Sequence, residues 1–264
     1  MVKAIGKTEI ISFYEFKNME SVGELQQLKA SLKSAMIDHD VRGTIILAAE
    51  GYNGMVCGES SDIVRFRASI EDTLRSKLTV KSSFADVAPF RKTDVRIKPE
   101  IVTLKKEVDI SLGAGTHVAP AEWNKIISDP ETLVLDARND YEYQTGTFRG
   151  AINPNTKKFS ELPDFVDANL DTSTHKRVAM FCTGGIRCEK FAPYMRSLGF
   201  EEIFQLEGGI LKYIEETPVD RSLWKGECFV FDERITVDSE LNKGSTPDLS
   251  QRRAASRAAA GESE

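Results

Sequence analysis

The feature that most constrains this chain is an apolar strand that stops at a cysteine and runs straight into glycines. The run Arg177-Val178-Ala179-Met180-Phe181 is followed at once by Cys182-Thr183-Gly184-Gly185-Ile186-Arg187, and helical spacing takes over across 189–198. Gly199, just past that helix, suits a left-handed C-terminal cap. A short buried strand joined to a helix by a tight loop belongs to an α/β layer with a parallel sheet. In such sheets, ligands gather at the carboxyl ends of the strands. The glycines at 184 and 185 let successive backbone N–H groups converge on the sulfur. The following helix presents its positive end, and Arg187 adds a full charge. All three favour thiolate over thiol, which makes Cys182 a candidate nucleophile. A cysteine at a strand end is often only a small core residue, but the Gly-Gly pair and the arginine argue against that reading here. Cys188 has two open roles: packing under the loop, or resolving an oxidised or persulfidated Cys182.

The flanking sequence repeats the α/β pattern. Leu133-Val134-Leu135-Asp136 reads as a short strand ending in an acid, and Ile203-Phe204-Gln205-Leu206 as another ending at Gly208-Gly209. Pro120 opens a helix, where proline is favoured in the first turn. Gly113-Ala114-Gly115 marks a boundary ahead of this region, and 89–115 reads as an extended connector. A compact segment follows at 218–240, and a Ser-, Ala-, Arg- and Glu-rich tail at 241–264 reads as disordered.

The first 105 residues read differently: strand, helix, two strands, helix, strand. Leu25, Leu28, Leu32, Ala35 and Met36 recur at helical spacing, as do Ile63, Phe66, Ile70 and Leu74. Between the helices, Glu50-Gly51-Tyr52-Asn53-Gly54 reads as a hairpin turn, with Asn-Gly as its signal. This order fits a ferredoxin-like, acylphosphatase-like α+β sandwich. The whole chain then comprises that domain at 1–105 and an α/β domain at 116–217.

Bulk properties narrow the function. No apolar run approaches the roughly 20 residues of a membrane helix, and the amino terminus lacks a secretory stretch, so a cytoplasmic location is expected. The four cysteines (Cys57, Cys182, Cys188, Cys228) and three histidines are too scattered for a disulfide scaffold or a metal site. No flavin or nicotinamide fingerprint is present, so no cofactor is evident. The net charge of -6 argues against indiscriminate nucleic-acid binding. Residues 75–106, however, hold nine Lys and Arg against Asp86, Asp94 and Glu100, a local +6 on a chain that is otherwise -12. That strip reads either as a solvated charged strand or as a surface for a polyanion. In the second case Arg91, Lys92, Arg96 and Lys98 are the candidate phosphate contacts.

Several of these motifs together resemble a rhodanese (sulfurtransferase) domain: Cys182-x4-Arg187 after a strand, Asp136-x-Arg138, Gly150-Ala151-Ile152-Asn153-Pro154, and Leu206-Glu207-Gly208-Gly209-Ile210. Related phosphatases carry Cys-x5-Arg, a longer loop that fits phosphate, so the shorter loop favours sulfur chemistry. The resemblance implies that Cys182 and Arg187 are catalytic, that Thr183, Gly184, Gly185, Ile186 and Cys188 form the active loop, and that Asp136 and Arg138 brace it.

With Glu50-Gly51-Tyr52-Asn53-Gly54, the extended block Cys182-Thr183-Gly184-Gly185-Ile186-Arg187-Cys188-Glu189-Lys190 and the segment 224–234 included, the chain is similar to the oxygen-dependent tRNA uridine hydroxylases. That resemblance implies 5-hydroxyuridine formation at the wobble position of tRNA, with O2 and an electron donor as co-substrates. It also implies contact with the anticodon loop, and a sulfur- or electron-donating protein as a further partner. Some relatives carry additional cysteines beyond this block, and nothing of that extension transfers here. Two rival readings stay open: a plain sulfurtransferase working through a Cys182 persulfide, and a non-catalytic RNA-binding scaffold.

Overall fold

A computed structural model of the chain describes residues 7–247. The first domain comprises β1 (Thr8–Phe16), α1 (Leu25–Asp38), β2 (Arg42–Ala48), β3 (Gly51–Gly58), α2 (Ser60–Leu74), β4 (Val80–Ala85) and β5 (Thr93–Ile97). Its strands lie in the order β4-β1-β3-β2-β5. The first four make the expected ferredoxin-like sheet, and β5 adds a parallel strand beside β2. Leu28, Leu32 and Met36 of α1 and Phe66, Ile70 and Leu74 of α2 bury one face against Ile11, Phe13, Ile45 and Val56. The two helical stripes therefore account for that core. The opposite face carries Ser12, Tyr14, Thr44, Ile46, Asn53 and Met55 and lines a cleft shared with the second domain.

Two local expectations are corrected. The β2–β3 turn is formed by Ala49 and Glu50, since Ala48 already pairs with Gly51. Asn53-Gly54 lies inside β3, opposite Tyr14 and Phe13. A Cβ on Gly54 would come within 2.4 Å of the Phe13 ring, so this glycine serves packing and not reversal. The connector at 89–115 contains β5, whose Val95 is buried among the α1 side of the core. Its charged neighbours Lys92, Asp94, Arg96 and Lys98 mask that single inward residue in the sequence.

The second domain comprises β6 (Thr116–Val118), α3 (Pro120–Ile127), β7 (Thr132–Asp136), α4 (Asp140–Tyr143), β8 (Gly146–Phe148), α5 (Leu162–Asn169), β9 (Arg177–Phe181), α6 (Ile186–Ser197), β10 (Glu202–Leu206) and α7 (Gly209–Glu216). Strands β6-β10-β9-β7 form one sheet, parallel at every pairing. Alternate residues of β9 feed two cores. Val178 and Met180 pack with Val166, Phe191 and Met195, whereas Ala179 and Phe181 pack with Trp123, Ile210 and Tyr213. Burial on both faces explains why β9 reads as a continuous apolar run.

The last segment closes the structure through β11 (Trp224–Gly226), β12 (Cys228–Phe229) and β13 (Thr236–Val237). Strand β11 pairs antiparallel with β8, and Trp224 meets the Phe148 ring edge-on at 5.2 Å. The first residues of the segment expected to be disordered from 241 are instead tied down. Ser245 and Thr246 donate their backbone N–H groups and hydroxyls to the Glu227 carboxylate at 2.6–3.0 Å. Residues 248–264 of that expected tail lie outside the described residues.

Polar contacts join the two domains. Lys190 of α6, only 2% exposed, donates to both oxygens of Glu50, to Glu100 and to the Val102 carbonyl at 2.6–3.2 Å. Glu233 pairs with Arg91 at 2.6 Å, and its N–H donates to the Pro89 carbonyl. Lys81 of β4 donates to the Gly184 carbonyl in the loop after β9.

Candidate active site

Cys182 stands at the carboxyl end of β9, where the parallel sheet opens, and the loop bends back under it. Gly185 adopts φ +98° and directs its N–H to the Cys182 Sγ at 3.1 Å. The loop carbonyls are held from below by the start of α7: the N–H of Ile210 donates to the Cys182 carbonyl and that of Leu211 to the Thr183 carbonyl. A Cβ on Gly209 would lie 2.6 Å from both carbonyl oxygens, so the Gly208-Gly209 pair admits this close approach. The two motifs noted in the sequence thus form one structure.

Burial by itself pushes the Cys182 thiol up. The Cys188 thiol that donates to it, the Arg187 guanidinium and the N–H groups of residues 188 and 187 outweigh that, and hold it well below its ordinary value. Cys188 moves the other way: burial, its bond to Cys182 and the Cys182 charge keep it protonated. A resolving attack by Cys188 needs its thiolate, which this environment opposes.

Arg187 is fixed by a residue that sequence reasoning missed. Glu142 of α4 accepts from Nη1 at 2.6 Å and from Nη2 at 2.7 Å, and Thr183 Oγ1 lies 3.3 Å from Nη2. Glu142 is fully buried, and the Arg187 guanidinium, the next largest influence after burial, keeps its carboxyl below the ordinary carboxylate value. Asp136 and Arg138, expected to brace the loop, make their hydrogen bonds elsewhere. Arg138 donates to both Asp136 oxygens at 2.9 and 2.7 Å and to the Gly146 carbonyl, and lies over the Trp224 ring at 5.1 Å. That pair fastens β7 to β8 and β11; toward the loop, Asp136 acts through its field on Arg187 and Cys188.

Above the loop lies a cavity of about 680 Å³, closed on its far side by the open face of the first domain's sheet. That volume is within the roughly 300–1,000 Å³ of small-ligand sites. Cys182, Gly184, Ile186 and Arg187 form its floor; Tyr14, Ile46, Asn53 and Met55 oppose them, and Phe90 and Phe231 add aromatic walls. Phe231 is 54% exposed and lies 5.7 Å from the Arg187 guanidinium carbon. Lys105 and Lys158 also line the cavity. The four candidate phosphate contacts lie outside it: Arg91, Lys92, Arg96 and Lys98 are exposed on β5 and its flanks. Arg91 pairs with Glu233 and Arg96 with Asp94, while Lys92 and Lys98 form no ion pair among the described residues.

Known proteins match this two-part arrangement. A model described as "UPF0176 acylphosphatase like domain" matches residues 8–101, and a "Rhodanese-like domain" model matches residues 119–216. A tRNA uridine(34) hydroxylase of Teredinibacter turnerae is 52% identical over 224 residues, covering 81% of this chain and 69% of that protein. This chain belongs to the tRNA uridine(34) hydroxylase family. Among solved structures, a rhodanese-related protein from Thermoplasma volcanium is 28% identical, covers 38% of this chain and 92% of its own, and superposes with a TM-score of 0.33. A rhodanese-like domain from Anabaena is 20% identical over 42% of this chain and 78% of its own, with a TM-score of 0.35. Within the hydroxylase family's frame, Cys182 lies in the rhodanese-like part and faces the acylphosphatase-like part across the cavity. Among the described residues, no helix is long and apolar enough to cross a membrane.

Proposed function

We propose that this chain hydroxylates the wobble uridine of tRNA to 5-hydroxyuridine, with O2 and a two-electron donor as co-substrates and Cys182 as nucleophile. The observation that carries the reading is a thiolate-favouring cradle at the floor of a cavity between two domains, in a chain with 52% identity to a tRNA uridine(34) hydroxylase. A wobble base lies in a single-stranded loop, so presenting it to such a cavity costs less than extruding one from a duplex.

The Cys182 thiolate adds to uracil C6 and places the displaced electron pair at C5. O2 takes up that pair and forms a C5–O bond. Two electrons and two protons from the donor, with a third proton that is returned when C5 later loses its own, cleave the O–O bond of the resulting peroxide anion, leaving a C5 hydroxyl and one water. Loss of the C5 proton then expels the Cys182 thiolate and restores the C5–C6 double bond. Arg187 keeps the leaving sulfur anionic, and the apolar wall of Ile46, Met55 and Phe90 limits water around C5. Phe231, exposed at the cavity wall, offers a face on which a base stacks. Lys105 and Lys158 meet the phosphates nearest the base, and the β5 strip meets those further along. Four free, buried cysteines fit a reducing, cytoplasmic setting.

The test is nucleoside mass spectrometry of tRNA from cells carrying the wild-type chain, a deletion, or Cys182→Ala. Loss of 5-hydroxyuridine and its derivatives in both altered strains supports the reading. Changes confined to thiolated nucleosides would select sulfur transfer instead, and full hydroxylation in Cys182→Ala would overturn the nucleophile.

A further inference from the structure

Lys81 belongs to the acylphosphatase-like domain, 103 residues before the carbonyl it binds, yet its ammonium donates to Gly184 O in the catalytic loop. That carbonyl belongs to the Gly184–Gly185 peptide. The N–H of the same peptide donates to Cys182 Sγ at 3.1 Å. One rigid amide therefore has a cation on its oxygen and the reactive sulfur at its hydrogen. A planar peptide fixes these two directions opposite each other. A cation at the oxygen draws electron density through the amide and makes its N–H a stronger donor. The Tyr14 ring lies under the Lys81 ammonium at 5.6 Å from its centroid, and its hydroxyl would come within 3.1 Å of a Cβ on Gly185. Strands β1 and β4 are paired neighbours, with Ser12 opposite Lys81, so Tyr14 and Lys81 approach the loop as one unit.

We propose that Lys81 is a positioning residue for the Cys182 thiolate, acting through the Gly184–Gly185 peptide, so that docking of the first domain activates the nucleophile of the second. The inference rests on Cys182 being the reacting thiol. It assigns the first domain a second task besides holding tRNA. It also explains why the domains are clamped by the buried Lys190 on the half-buried Glu50 and Glu100: the amide relay works only at hydrogen-bond distance.

The charged and titratable groups facing Cys182 are Arg187 and Cys188 from α6, Tyr14 from β1 and Lys81 from β4, with Glu142 and Asp136 behind Arg187; Glu189 of α6 acts on Tyr14 and Lys81, and Lys212 of α7 on Lys81. Of these, Lys81 alone acts on the sulfur through a loop carbonyl, so its contribution can be isolated by substitution.

The experiment follows alkylation of Cys182 by iodoacetamide against pH in the full chain, read by mass spectrometry of the peptide that contains it. Lys81→Met should move the midpoint up by about half to one pH unit, which slows alkylation below the midpoint by about three- to ten-fold. Lys81→Arg should restore the wild-type profile to within about two-fold, because it keeps a cation on the carbonyl. Lys81→Gln, with a neutral donor, should fall between them. It carries the test if the methionine variant lacks a wild-type thermal transition. A Lys81→Met or Lys81→Gln profile that overlays the wild type would overturn the relay. The functional reading fails separately: a shifted titration in Lys81→Met beside full hydroxylation by Cys182→Ser would leave the relay standing and remove the proposed chemistry.

Discussion

Glu142 grips Arg187 through two parallel bonds of 2.6 and 2.7 Å, with the carboxylate fully buried and the guanidinium nearly so. This geometry is the planar fork-to-carboxylate match that lysine cannot reproduce. Arg187→Lys should therefore lose hydroxylation by about ten-fold or more, although charge is conserved. Glu142→Ala leaves a buried guanidinium without its partner, and such breaks cost about 3–5 kcal/mol. Urea unfolding of the two variants, beside nucleoside analysis, checks both outcomes; an unchanged midpoint for Glu142→Ala would refute the account of how the loop is held.

Ionisation of Cys182 gives a second test. Because its folded pKa lies well below the ordinary thiol value, the thiolate persists to lower pH than that of a free cysteine and is lost only below the lowered value. A free cysteine near pKa 8.5 would instead slow about ten-fold for each unit below that point. Removing the Cys188 donor as Cys188→Ala should shift the reactive limb toward alkaline pH, and Cys188→Ser, which keeps a donor, should shift it less. Cys228, pushed up to about 12 by burial, should stay unmodified throughout and serves as an internal reference.

How much of this site was legible in the sequence follows from how far apart its parts lie. Cys182, the glycines and Arg187 are contiguous, and contiguous residues display their spacing directly. Gly208-Gly209 was also visible, although only the structure shows it holding the loop carbonyls. Glu142 lies 45 positions before Arg187 on a one-turn helix too short for any periodic signal. Lys81 and Tyr14 belong to another domain, and neither pattern nor composition sets them apart from other strand residues. The same limit explains β5. Its single buried valine is surrounded by charge, and parallel pairing with β2 is a tertiary fact that no local pattern encodes.

Lys190 provides a stability prediction. Its ammonium neutralises Glu50 and Glu100 across the domain boundary, with 2% of its own side chain exposed. Lys190→Met leaves two carboxylates facing each other, and should destabilise the chain by about 3–5 kcal/mol in denaturant melts. Neutralising the partners in Glu50→Gln/Glu100→Gln/Lys190→Met should recover part of that loss, since no uncompensated charge then remains. A triple variant no more stable than Lys190→Met would refute the ionic account of the clamp.

The strip on β5 can be dissected by salt. Each phosphate contact adds a definite increment to the dependence of log affinity on log salt, and losing one lowers the slope by about 1. Arg91 and Arg96 already face Glu233 and Asp94, whereas Lys92 and Lys98 have no such partner among the described residues. Lys92→Ala and Lys98→Ala should each reduce the slope for an anticodon stem-loop, and Arg91→Ala should change it little. Fluorescence anisotropy at several salt concentrations reads this directly. Equal slopes for all variants would place the phosphate path elsewhere, with Lys105 and Lys158 on the cavity wall next to test.

Phe231 separates base recognition from phosphate contact. Its ring is half exposed at the cavity wall, and Phe229 meets it edge-on at 5.3 Å and fixes its orientation. Stacking of one base on an aromatic face is worth about 1–3 kcal/mol, so Phe231→Ala should weaken stem-loop binding by about 5- to 150-fold. The salt slope should stay at its wild-type value, because no charge is removed. Phe231→Tyr keeps the face and should bind like wild type. If Phe231→Ala instead lowers the salt slope and Phe231→Tyr fails to restore affinity, the ring shapes the Arg187 side of the loop and the base lies elsewhere in the cavity.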